Sequence, residues 1–216
     1  LLLAATLAEG ESILQNAAIE PEIDNLVDYL ISMGAKIQGR GTRTLIIQGV
    51  ESLTPGKGET IADRIEAGTF LCGAVITRGR VKVTHMVPEH IMAVLNVFKE
   101  IGCDVAIGDS WVEVDARNKS LKPISVTTLP YPGFPTDLQA PLMATLASIE
   151  GNSLIQDTIY HDRFTHIAEL KRLGADIQLN GNTATIIGGK SQHISRGLAD
   201  YWAAYAALRS TILSYL

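Results

Sequence analysis

Leu7-Ala8-Glu9-Gly10, then Ser12-Ile13-Leu14-Gln15, then a helical run closing at Met33-Gly34-Ala35: this stretch sets out a pattern that the 216-residue chain writes three times. The second copy runs from Thr77-Arg78-Gly79 through Val81-Lys82-Val83-Thr84 to Ile101-Gly102-Cys103. The third runs from Ile149-Glu150-Gly151 through Ser153-Leu154-Ile155-Gln156 to Leu173-Gly174-Ala175. Within each copy the two glycines stand about 23 residues apart, and the copies recur about every 70 residues, as expected of a repeated supersecondary unit.

The helices inside the pattern follow from periodicity. Ile23, Leu26, Val27, Leu30 and Ile31 fall on one face of a 3.6-residue repeat. Pro21 suits the first helical turn, where its missing N–H costs nothing, and Glu20 and Glu22 favour the positive end of the helix dipole. In the second copy Pro88 is expected to open the helix, with Ile91, Val94, Leu95 and Phe98 as its stripe. Gly34, Gly102 and Gly174 stand where a left-handed residue ends a helix. Two short alternating runs then follow each glycine. They are Ala35–Ile37 with Thr44–Gln48, Val105–Ile107 with Trp111–Val114, and Ile177–Leu179 with Thr183–Ile187. Such pairs read as hairpins, the last with an Asn180-Gly181 turn. The expected unit is βαβαββ, in an α/β fold of mixed sheets with helices packed on one side.

Hydrophobic residues make up 46% of the chain, enough for one sizeable core or two small ones, but they lie in short runs. None approaches the roughly 18–20 apolar residues of a membrane span, so no membrane partner is expected. Leu1-Leu2-Leu3-Ala4-Ala5 lacks a basic flank and meets Glu9 within ten residues, so it reads as a helix tail and not a signal peptide. The natural chain is expected to begin before Leu1. A net charge of −5 argues against a nucleic-acid partner, which calls for a basic face. Cys72 and Cys103 stand apart, in neither a metal nor a redox spacing, and fit small core positions in a reducing, cytoplasmic setting. His85 and His90, like His161 and His166, are five apart and miss a shared helical face, so no metal is expected. There is no GxGxxG after a strand, no P-loop and no GxSxG. Gly39-Arg40-Gly41 reads as a structural turn.

Loops on a rigid scaffold are where chemistry should sit. Ser52–Glu59 is the most loop-like stretch and a plausible domain boundary. After it, Asp63-Arg64 precedes a helix starting near Ile65, where Asp63 fits an N-cap. The second loop is Leu129-Pro130-Tyr131-Pro132-Gly133-Phe134-Pro135-Thr136-Asp137. Its three prolines stiffen the approach to Asp137. That residue can serve as a helix cap or, held by a stiff loop, as a general base for a hydroxyl group.

At these residues the chain resembles the enolpyruvyl transferases, and within them those acting on UDP-N-acetylglucosamine. The strings that carry the likeness are Leu7–Gly10, Asn16–Ile23, Asp63–Phe70, Tyr131–Ala140 and Arg163-Phe164-Thr165-His166, in order as far as about Lys190. The resemblance implies repeated βαβαββ units in an inside-out α/β barrel of two domains. Residues 1–60 would finish one domain, and 61–216 would form part of the second, ending in a divergent helix. It implies an active site between domains that close on phosphoenolpyruvate and UDP-N-acetylglucosamine, with no cofactor. It further implies that Asp137 binds and deprotonates the sugar 3-hydroxyl, that the Ile159 backbone meets the nucleotide, and that Arg163 lies near the reacting centre. Asp63, Arg64, Glu20 and Glu22 would make closure and interdomain contacts and count among the substrate-binding residues. His161 stands where the family has Glu, and Ala62 where it has Pro. Asp200-Tyr201-Trp202-Ala203 stands for Asp-Leu-Arg-Ala, putting an indole in place of an anion-binding arginine. The cationic groups that grip phosphoenolpyruvate would lie outside these residues, so the chain alone is expected not to turn over. Two other readings are open: the shikimate 3-phosphate enzyme of the same scaffold, and an inactive binder of nucleotide sugars.

Overall fold

The computed structural model describes residues 1–189, and the chain divides into two compact units, Leu1–Ala62 and the part from Asp63 onward. Asp200 and Trp202 lie outside the described residues.

The first unit comprises α1 (Leu2–Thr6), β1 (Glu11–Gln15), α2 (Pro21–Ser32), β2 (Lys36–Gln38) and β3 (Thr44–Gln48). β3 lies between β1 and β2 and runs antiparallel to both, with Ile13 opposite Ile46 and Ile37 opposite Ile47. Alternation along β3 turns Leu45 and Ile47 inward, where they pack with Leu2, Ala35, Ile37 and, on α2, Val27 and Leu30. Ile31, expected on the buried stripe, is 42% exposed, because the core is built around Val27 and Leu30 one turn apart. Arg40 makes a two-pronged bond to Asp28 of α2, so the Gly39–Gly41 turn is structural. Asn25 fastens the segment after β3 along α2: its amide donates to the Glu59 carbonyl at 2.9 Å and accepts from the Ile61 N–H at 3.3 Å.

The second unit opens with α3 (Arg64–Ile76), β4 (Arg80–Thr84), α4 (Met92–Ile101), β5 (Asp104–Gly108) and β6 (Trp111–Asp115). β6 is central and antiparallel to β4 and β5, and its inward residues Val112 and Val114 are fully buried. On the other face Lys82 lies 3.7 Å over the Trp111 ring and Arg80 pairs with Glu113 at 2.8 Å. Pro88 opens a 3₁₀ turn, Pro88–Ile91, ahead of α4 and not the α-helix itself. The unit continues through β7 (Ser125–Thr128), a 3₁₀ turn at Thr136–Leu138, α5 (Gln139–Ala147), β8 (Gly151–Asp157), α6 (His166–Arg172), β9 (Asp176–Asn180) and β10 (Thr183–Gly188). The strand order is β7-β8-β10-β9, with β7 parallel to β8 and the other pairs antiparallel.

Two expectations need correcting. The full order βαβαββ appears only in the third segment, where β7 precedes the helix, whereas the described elements of the first two begin with a helix. Only that third sheet contains a parallel pair of neighbours. In the other two the hairpin's second strand slots between the strands that flank the crossover helix, so every hydrogen-bonded pair is antiparallel. The three described sheets are separate and open, and none closes into a barrel.

The helix endings are alike. Gly34, Gly102 and Gly174 have φ of +101°, +108° and +98°. In each case the glycine N–H donates three residues back and the next N–H five back: Gly34 to Ile31 and Ala35 to Leu30, Gly102 to Lys99 and Cys103 to Phe98, Gly174 to Lys171 and Ala175 to Leu170. This is the Schellman closure. Cys103 thus stands where the other two helices use alanine. Burial pushes its thiol up to about 11 and that of Cys72, on α3, up to about 12. Both are core residues.

Candidate functional site

The proline loop leaves β7 at Thr128 and returns at Phe134, where the two residues form a parallel bridge. The Leu129 N–H donates to the Phe134 carbonyl at 3.0 Å, and the Gly133 N–H to the Pro130 carbonyl at 2.9 Å. Phe134 is buried beneath the loop, and a Cβ at Gly133 would crowd Leu129 at 2.5 Å. Leu138, wholly buried, seats the following 3₁₀ turn against α3 at Gly68, where an added Cβ would strike it. The loop is therefore pinned at both ends by apolar packing.

Asp137 rides on this turn and is half exposed. It caps nothing: neither the 3₁₀ turn nor α5 has a side-chain cap bond. Its Oδ1 instead accepts from Arg163 Nη1 at 2.8 Å. The same nitrogen lies 3.4 Å from Thr136 Oγ1, and the guanidinium sits 5.6 Å from the Tyr160 ring centre. Exposed ion pairs contribute about 0–1 kcal/mol, so the pairing orients the two groups more than it stabilises the fold.

Behind Asp137 lies a group that sequence reasoning missed. Asp157, the last residue of β8, is completely buried. Its Oδ1 accepts from Thr128 Oγ1, the Ile159 N–H and the Tyr160 N–H, each at 2.9 Å, and its Oδ2 accepts from Thr136 Oγ1 at 2.6 Å. Burial alone would raise its pKa, but the bonds from Thr136, Tyr160, Ile159 and Thr128 outweigh it, and the carboxyl is held below its ordinary value. A sequence signal was present. Ser153, Ile155 and Asp157 share the inward period of β8, and an acid on a buried strand face implies a cluster of donors.

Ile159 is thereby fixed through its N–H. Arg64, the first residue of α3, is buried, with its guanidinium 5.4 Å from the Tyr131 ring centre of the proline loop. Asp63 is the N-cap of α3, accepting from the N–H groups of Ile65 at 2.8 Å and Glu66 at 3.0 Å. Arg64, Asp137, Ile159 and Arg163 thus gather around one loop. Glu20 and Glu22 belong to the first unit. Glu20 stands at the N-cap of α2 without a capping bond, and Glu22 lines a hollow of about 560 Å³ with Asn25, Tyr29, Lys57 and Glu59. His166, three residues after Arg163 in the matched string, has its pKa lowered by burial and secondly by the Arg163 charge. No cluster of three His, Cys, Asp or Glu able to hold a metal occurs among the described residues, and no described helix is long and apolar enough to cross a membrane.

The fold is that of solved enolpyruvyl transferases. The enolpyruvyl transferase NikO from Streptomyces tendae aligns with a TM-score of 0.76 at 24% identity, over 95% of this chain and 51% of that one. The EPSP synthase from Acinetobacter baumannii aligns at 0.62 and 22% identity, over 92% of this chain and 51% of its own. The chain belongs to the EPSP synthase (3-phosphoshikimate 1-carboxyvinyltransferase) family, which it matches over residues 1–209. Curated relatives include the UDP-N-acetylglucosamine 1-carboxyvinyltransferases of Acinetobacter baylyi, 49% identical over 87% of this chain, and of Hydrogenovibrio crunogenus, 50% identical over 85%. The chain spans 45% and 44% of those two proteins, a little under half their length.

Proposed function

We propose that the full-length protein transfers the enolpyruvyl group of phosphoenolpyruvate to the 3-hydroxyl of UDP-N-acetylglucosamine, releasing phosphate, as a cytoplasmic step of peptidoglycan synthesis. The observation that carries this is Asp137, a carboxylate on a packed, proline-stiffened turn and 2.8 Å from Arg163. Relatives named for that reaction, at 49% and 50% identity, supply the substrate.

In this reading Asp137 accepts the proton of the sugar hydroxyl as that oxygen bonds to the phosphate-bearing carbon of phosphoenolpyruvate, while an acid elsewhere in the full-length protein protonates the neighbouring methylene carbon. Loss of that proton and departure of phosphate then regenerate the double bond in the product. Arg163 orients Asp137 and faces the anionic reactant. Because the Ile159 N–H is engaged by Asp157, its carbonyl is the group left to accept a hydrogen bond from the nucleotide. Asp63 fixes the start of α3 and with it Arg64 beside Tyr131. Residues 1–60 complete one domain and residues 61–216 are part of the second.

Phosphate release by the full-length protein, requiring both substrates, tests the reading. Asp137→Ala should cut kcat by about 100-fold or more. Turnover near that of the parent would remove Asp137 from the chemistry. The family description favours a second reading, transfer to shikimate 3-phosphate. The same assay with that acceptor separates the two.

A further inference from the structure

We propose that Asp157 is a positioning residue for the transfer: its buried carboxylate holds the turn carrying Asp137 and the segment carrying Ile159 in one fixed relation. The inference rests on the function proposed above and extends it to a residue that touches neither substrate.

Four donors from three separate places converge on this side chain. Thr128 ends β7, Thr136 immediately precedes Asp137, and the Ile159 and Tyr160 N–H groups belong to the segment after β8. The link is reinforced in both directions. Thr128 Oγ1 also accepts from the Thr158 N–H at 3.1 Å, and Asn182 Nδ2 donates to the Asp157 carbonyl at 3.0 Å. Arg163 Nη1, 3.4 Å from Thr136 Oγ1, sits at the head of a chain in which the Thr136 hydroxyl passes its own proton toward Asp157 Oδ2. The arginine that orients Asp137 is thus coupled to the carboxylate that anchors Asp137's turn. A fully buried carboxylate is costly unless its lone pairs are satisfied, and satisfied networks of this kind make a site rigid. An apolar residue of similar size would fill the space but leave those four donors without their acceptor. What an apolar residue would not do is tie the base to the nucleotide-facing backbone, and a misplacement of about 1 Å at a reacting centre costs on the order of 100-fold in rate.

The test uses the full-length enzyme and three variants: Thr136→Val, Asp157→Asn and the double. Thr136→Val keeps the shape and removes only the bond to Oδ2 with its arginine contact. The prediction is a kcat lower by about tenfold, with KM for phosphoenolpyruvate within about twofold of the parent. Asp157→Asn should lower kcat at least as far and raise KM for the nucleotide sugar several-fold. The double variant should be no slower than Asp157→Asn, because both changes cut the same link. A Thr136→Val enzyme with lowered melting temperature but unchanged kcat would reduce Asp157 to a structural residue. Losses that multiply in the double would mean that Thr136 acts on its own, and would also overturn the proposal. A parent protein that releases no phosphate fails the enzymatic reading and this one with it. An active parent with indifferent variants fails only this one.

Discussion

At the scale of single residues, the sequence offers two aspartates on loops, Asp63 and Asp137, that look interchangeable as helix caps. The structure gives them different work. Asp63 caps α3 through two backbone N–H groups, while Asp137 makes no cap and faces Arg163. The third, Asp157, was silent in the sequence because its meaning depends on Thr128 and Thr136, 29 and 21 residues away. Its lowered folded-state pKa has a signed consequence. Its contribution to stability is fully present above the unfolded-state value of about 3.9 and is lost as pH falls through the lower folded value. Acid unfolding of the parent should therefore contain a proton-uptake component that Asp157→Asn lacks, checked by comparing their denaturant midpoints between about pH 5 and 2. The two thiols carry a second prediction. With Cys72 and Cys103 raised to about 12 and about 11, neither should react with an aromatic disulfide reagent at pH 8 in the native protein, and both should react after denaturation.

At the scale of elements, the helix ends show how much local sequence can decide. A glycine after the apolar stripe was enough to place three left-handed closures, since the requirement is a positive φ and only the next few residues take part. The three sites are nevertheless unequal in their surroundings. A Cβ at Gly34 would meet nothing within 4 Å, whereas one at Gly102 would lie 3.1 Å from the Ser120 carbonyl oxygen. Gly34→Ala should cost about 1–2 kcal/mol from backbone strain, and Gly102→Ala more. Urea denaturation of the two variants checks the order. The 3₁₀ turn beneath Asp137 depends on packing instead. Leu138→Ala removes a fully buried side chain against Gly68 and should cost about 2–5 kcal/mol, read in the same experiment. Periodicity failed where tertiary geometry intervened. Ile31 stayed exposed although it lies on the apolar stripe, and the turn after Pro88 wound as 3₁₀ before α4 began.

At the scale of the molecule, the prediction concerns which ligand the full-length protein selects. Under the proposed function, UDP-N-acetylglucosamine at a hundred times its dissociation constant should stabilise it by about 2.7 kcal/mol, seen as a rise in melting temperature. Shikimate 3-phosphate should leave it unmoved, and the reverse result would assign the shikimate chemistry. The amino-acid sequence by itself determined the recurring strand and helix pattern, the hairpins, the glycine closures and the stiffness of the loop before Asp137. These depend on side-chain period and backbone freedom within a few residues of one another. Only the tertiary structure decided that the hairpin strand inserts between its neighbours, that Asp137 turns to Arg163 instead of capping, and that Asp157 is the knot behind both. Those outcomes depend on which distant donors and apolar faces meet once the chain is packed, and a buried charge is tolerated only where that meeting supplies its hydrogen bonds.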